Sequence, residues 1–190
     1  MGWSTLDGMA ASDAKQVKSA GLTWVSTTGG PHILVPESSC EHWRGVPMDY
    51  SDDEGDYGRA CAVDGYIGLI DVGTVPALVF GDHPGMTTYL RSQRTLVRWM
   101  GADSEAELIG VAIDALDSQT VPWDEELLWD VHEPVILFDS SCAHEHIAAE
   151  DHLLIDLAPG SYTVRAGYVD RPDASAILVQ FTPTADRQSE

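Results

Sequence analysis

The chain has 190 residues, 44% of them apolar, with 31 Asp and Glu against 10 Lys and Arg, for a formal charge of −21. That composition excludes global disorder, the length supports a domain with a real core, and no run of about eighteen apolar residues is present to form a transmembrane helix. So negative a surface disfavours nucleic acid and anionic membranes and favours a basic protein partner.

Residues 1–20 are polar and weakly patterned and read as an N-terminal extension, with a short helix around residues 12–20. They lack a basic stretch followed by an apolar one, so they are not a signal peptide. Cys40, Cys61 and Cys142 are odd in number and form no CxxC. These features predict a cytoplasmic protein with three reduced thiols.

Residues 21–183 read as a single domain. Short apolar runs, rich in β-branched and aromatic residues, alternate with Gly, Pro and acidic turns. "LTWVS", "HILVP", "YIGLIDV", "ALVFG", "TTYL" and "TLVRWM" are predicted strands. The loop "RGVPMDYSDDEGDYGRACAVDGY" interrupts them and is expected to be exposed. At residues 104–117 the period changes: Ser104 and Glu107 make a capping box, and Leu108, Ala112 and Leu116 form an apolar stripe beside Ile109 and Ile113. An amphipathic helix is expected there. Strands resume with "ELLWDV", "PVILFD", "HLLIDL", "SYTVRAGYV" and "SAILVQFTP", with a Pro-Gly hairpin turn in "LAPGSYTVRAGY". Residues 184–190 are expected to be a disordered tail. The fold class is therefore α+β, mainly antiparallel β.

The two strand-rich stretches resemble each other. "LTWV" answers "LLWD", "ILVPESSCEH" answers "ILFDSSCAH", and "GLIDVG" answers "LLIDLA". The expectation is an internal repeat, residues 22–100 and 123–183, of two similar β-rich halves joined by the helix. The two "SSC" runs would start equivalent short helices, each capped by a Ser.

Charge is unevenly spread. Residues 1–60 carry nine acids and four bases, 61–100 three of each, 101–160 fifteen acids and no base, and 161–190 four acids and three bases. Trp123 and Trp129 stand among Asp124, Glu125, Glu126, Asp130 and Glu133, and aromatic anchors ringed by acids suit a basic protein. Trp129, like its counterpart Trp24, reads as core, while Trp123 reads equally as core or anchor. In an extended strand Asp124, Glu126 and Leu128 share one face and Glu125, Leu127 and Trp129 the other. The acidic run Asp52, Asp53, Glu54 and Asp56 is a second candidate patch.

Other chemistries find less support. "DYSDDEGD" fails EF-hand spacing: a loop starting at Asp49 has Glu54 where glycine is required and Ala60 where the bidentate glutamate belongs. Cys142, His144 and His146, with His152, offer soft ligands for zinc, but HExxH and a paired CxxC are absent. Cys61 near Arg59 reads as a small core residue rather than a nucleophile. There is no GxSxG, P-loop or GxGxxG. No enzyme, cofactor or resident metal is predicted.

"LTWVSTTGGPHILVP", "DYGRACAVDGYIGLI", "YLRSQRTLVRWMGADSEAEL" and "LAPGSYTVRAGY", in that order, resemble the Imm21 immunity proteins of bacterial polymorphic toxin systems, over roughly residues 22–183. The resemblance implies a small α+β cytoplasmic protein that binds and neutralises a secreted toxin domain encoded nearby, and it transfers no catalytic residues. With the acidic segment, it makes a toxin with a basic active-site surface the expected partner. Two alternatives come from other classes: a small ligand-binding or housekeeping β-domain whose acidity only confers solubility, and a metal-dependent enzyme built on Cys142, His144 and His146.

Overall fold

The computed structural model describes residues 21–47, 55–81 and 83–184. Among these residues, ten strands form two five-stranded antiparallel sheets. In chain order they are β1 (His32–Pro36), β2 (Ile67–Val72), β3 (Val75–Phe80), β4 (Thr87–Leu90), β5 (Thr95–Ala102), β6 (Glu125–Val131), β7 (Val135–Asp139), β8 (His152–Ile155), β9 (Gly160–Asp170) and β10 (Ala174–Pro183). A 3₁₀ helix (Glu37–His42) and helix α1 (Gly55–Cys61) follow β1, a 3₁₀ turn (Arg91–Gln93) joins β4 to β5, α2 (Glu105–Asp117) joins β5 to β6, and α3 (His144–Ile147) lies between β7 and β8. The strand orders are β2-β3-β1-β7-β8 and β4-β5-β10-β9-β6.

Period-two alternation decides where each side chain goes. Leu34, Leu78 and Leu137 face the opposite sheet and join Trp129, Val164, Ile177 and Phe181 in the main core. Ile33, Val35, Val79 and Phe138 face outward and are covered by Cys40, Trp43, Ala60 and Ile147 of the helical segments. On the far side of the second sheet, α2 lays Leu108, Ala112 and Ala115 over Val97, Ala176 and Leu178. All five residues of β1 are buried because its sheet is covered on both faces. α2 starts where expected: the Ser104 hydroxyl accepts the Glu107 N–H at 3.3 Å.

Two charged side chains are buried among the described residues, Arg98 and Asp139. Arg98 of β5 is fully buried, its guanidinium 3.7 Å from the centre of the Phe80 ring. It donates to Gly81 O at 2.6 Å, Phe80 O at 3.0 Å and His32 Nδ1 at 2.8 Å. His32 Nε2 faces Ser26 O at 3.2 Å, so the ring is neutral with its proton on Nε2. Burial, then the Arg98 charge, lowers the His32 pKa to about 4. This network ties β5 of one sheet to β1 and β3 of the other.

Strand order is symmetric about two central antiparallel pairs, β1–β7 and β5–β10, with β3 and β8 flanking the first and β4 and β9 the second. β1 and β7 meet in register at Ile33–Phe138, Leu34–Leu137 and Val35–Ile136. Three details of the expected repeat are corrected. β2 and β8 do not correspond, since β8 lies beside β7 as β3 lies beside β1, while β2 is an additional edge strand. "LTWV" yields only a Val25–Thr87 bridge. Its Trp24 lies on the α2 side against Trp99, whereas Trp129 lies in the inter-sheet core; a one-residue slip reverses the face. The "SSC" runs also differ. "ESSCEH" is wholly 3₁₀, whereas α3 begins two residues after Cys142, and neither helix has a side-chain cap.

The loop expected after β1 contains α1, which buries Ala60. The predicted Pro-Gly hairpin is a crossover, since β8 and β9 belong to different sheets. The short helix around residues 12–20, Asp52, Asp53, Glu54 and most of the predicted tail lie outside the described residues. Cys40, Cys61 and Cys142 form no disulfide bond. No helix among the described residues is long and apolar enough to cross a membrane.

Candidate functional site

β6 is an edge strand whose ladder partner is β9. Leu127, Trp129 and Val131 turn inward while Glu126, Leu128 and Asp130 turn out. Leu128 is 66% exposed, the most exposed large apolar side chain among the described residues. Asp124, just before the strand, is exposed as well. The outer face of β6 therefore presents three carboxylates around one leucine.

Asp130 also accepts the Ser161 hydroxyl, and Glu125, Glu133 and Asp56 are used within the fold. Glu125 accepts the Tyr66 N–H at 2.8 Å and the Ile67 N–H at 2.9 Å, which fastens β6 to the start of β2. Glu133 accepts the Ser38 hydroxyl at 2.5 Å and holds the 3₁₀ helix after β1. Asp56 pairs with Arg59 at 2.5 Å and accepts the Arg44 N–H at 2.7 Å. A carboxylate satisfied by backbone donors has less to offer a partner.

Trp123 takes part in both packing and surface. It packs beneath α2 and lines a shallow cleft of about 250 Å³ with Leu116, Gln119, Val121, Arg165 and Gln180. The Arg165 guanidinium lies 4.8 Å from its ring centre and donates to Gln180 Oε1 at 3.0 Å. Gly167 permits this arrangement, because a Cβ there would collide with the Pro122 carbonyl oxygen.

Two features of this face escaped the sequence reading. Leu128 was placed by alternation but not recognised as an exposed apolar centre. Arg165 is the register partner of Glu126, so the base missing from residues 101–160 arrives from β9. The fifteen acids of that segment are also divided in space. Those of α2 and β6 lie on the outer side of the second sheet, and those around α3 lie on the outer side of the first. Twelve of the fifteen are exposed; Glu125 and Glu133 are half-buried and Asp139 is buried.

Among the described residues, Cys142, His144, His146 and His152 are not gathered into a group of three or more ligands that could hold a metal ion. Cys40 is buried and its pKa is raised to about 11, first by burial and then by Glu37 and Glu133.

No curated protein and no solved structure matches the chain. A family model described as Immunity protein 21 matches residues 23–175, a span that runs from the Val25 bridge into β10 and includes both sheets and α2. The chain therefore belongs to the Imm21 family of immunity proteins.

Proposed function

We propose that this immunity protein neutralises its toxin by binding it through the outer face of β6, with Asp124, Glu126 and Asp130 as the charged contacts and Leu128 and Trp123 as the apolar ones. The observation that carries the reading is the leucine, 66% exposed and set among carboxylates on a strand whose other face is fixed in the core. An exposed apolar residue ringed by acids suits a basic surface: the leucine loses water on contact while the acids steer the encounter. The complementary toxin surface is basic, as in a domain that handles phosphate-bearing substrates.

Stopped-flow association with the toxin domain encoded by the adjacent gene tests this. Replacing Asp124, Glu126 and Asp130 together by Lys is expected to slow association at least about tenfold at low salt and to flatten its salt dependence. Circular dichroism should remain that of the parent. Association kinetics equal to the parent's would move recognition away from β6.

A further inference from the structure

A second concavity lies at the far end of β7. It is a cleft of about 600 Å³, bordered by Ser26, Thr27 and Thr28 on one side and by Cys142, Ala143, Glu145 and His146 on the other. Its volume is in the range of ligand sites, roughly 300–1,000 Å³. Asp139, only 9% exposed, contributes to its lining. One Asp139 oxygen accepts from Thr28 N at 2.6 Å and Thr28 Oγ1 at 2.9 Å; the other accepts from Ser141 N at 2.9 Å. These donors are neutral, and among the described residues no Lys, Arg or His lies within ion-pair distance of it. Glu145, Glu150 and Asp151 stand exposed on the rim, with Arg44 as the single arginine. With histidine neutral, the lining carries four negative charges and one positive.

We propose that this cleft receives a basic side chain of the toxin, an arginine or a lysine. The inference rests on the reading that the protein binds a toxin and adds a second contact remote from β6. The three donors on Asp139 occupy its oxygens but are neutral and leave its charge uncancelled. It therefore acts on a cation through negative potential at the base of the cleft rather than by direct contact, and the rim acids extend that potential outward. Cys142 registers the same field: burial and then Glu150, Asp139 and Glu145 push its thiol pKa up. The cleft is open along an exposed rim, where each ion pair gains little by itself. That favours a side chain tethered to a docked protein over a free cation, because the other contacts supply its effective concentration. The apolar stem of such a side chain would lie against Val46 and Pro47, which also line the cleft, and Val46 is 45% exposed.

Two measurements test the proposal. In the first, N-acetyl-arginine methylamide is titrated into the ¹⁵N-labelled protein. Saturable shifts are expected at the Thr28 and Ser141 amides, both of which donate to Asp139. The shifts should shrink in a Glu145→Gln, Glu150→Gln, Asp151→Asn variant and be absent with N-acetyl-glutamine methylamide. No saturable shift, or shifts undiminished in the variant, overturns the proposal. Putrescine binding tighter than the arginine amide overturns it too, by assigning the cleft to a free diamine. In the second, the same variant is expected to raise the Kd for the toxin about tenfold, the sum of several partly exposed pairs. If the toxin binds this variant as it binds the parent, the cleft proposal fails and the β6 reading stands. If the cleft variant weakens binding and the β6 variant does not, the reverse holds.

Discussion

Acidic residues that look interchangeable in the sequence do different work according to the donors around them. Glu125 and Glu126 are neighbours, yet Glu125 closes off two backbone N–H groups and Glu126 faces solvent. Glu125→Ala is expected to cost about 2–3 kcal/mol in urea unfolding, because it leaves the Tyr66 and Ile67 donors without a partner. Its toxin association rate should match the parent's. His32 gives a pH dependence of definite sign. Its pKa falls from 6.5 to about 4 on folding, so between those values the unfolded chain binds the extra proton. Stability from this group is complete above pH 6.5 and declines as pH falls toward 4, by about 3 kcal/mol. Urea midpoints measured across that range should show a slope that His32→Gln reduces. Cys40, buried and with a raised pKa, should resist iodoacetamide in the folded protein and react once it is denatured.

At the level of elements, α2 was the most legible. Its capping serine, first-turn acids and apolar stripe all agree, and the structure places it at Glu105–Asp117. Ser104→Ala should cost about 1 kcal/mol by removing the acceptor for the Glu107 N–H. The strands were legible too, because period-two alternation and β-branched content mark each run. Partners were not. "LAPGSYTVRAGY" has the residues of a hairpin, yet β8 and β9 enter different sheets. Local turn chemistry fixes a bend but not which sheet edge the next strand meets. β6 depends on such a remote feature, since Gly167 of β9 admits the chain at Pro122. Gly167→Ala is expected to cost about 1–3 kcal/mol and to displace Trp123, readable as a change in tryptophan fluorescence.

The whole molecule is organised by pairs that join distant parts of the chain. Each central pair, β1–β7 and β5–β10, takes one strand from before α2 and one from after it. Cutting between α2 and β6 would divide both. Residues 21–118 and 119–184 expressed separately should each lack a cooperative transition by circular dichroism, and mixing them should restore one. The symmetric order of β1, β3, β4 and β5 against β7, β8, β9 and β10 suits the proposal of an internal repeat, with β2 and α1 inserted into the first copy and β6 preceding the second. The acidity belongs to this scale as well. Acids continuous in sequence lie over two outer surfaces, because β7 carries the chain from one sheet to the other between β6 and α3.

Hydrophobic period, capping and turn residues act within a few positions of one another, so the sequence by itself determined the α+β class, the helix at Glu105–Asp117, nearly all the strands and the inward turn of Trp129. The quoted runs likewise carried the resemblance to the immunity family. What only the tertiary structure decided was which carboxylates are free. Glu125 and Glu133 are claimed by N–H and hydroxyl donors 59 and 95 positions away. Arg165 reaches the acidic face through strand pairing, and Asp139 meets Thr28 across 111 positions. Such contacts depend on how two sheets stack, and stacking is set by the whole set of buried faces together rather than by any local stretch.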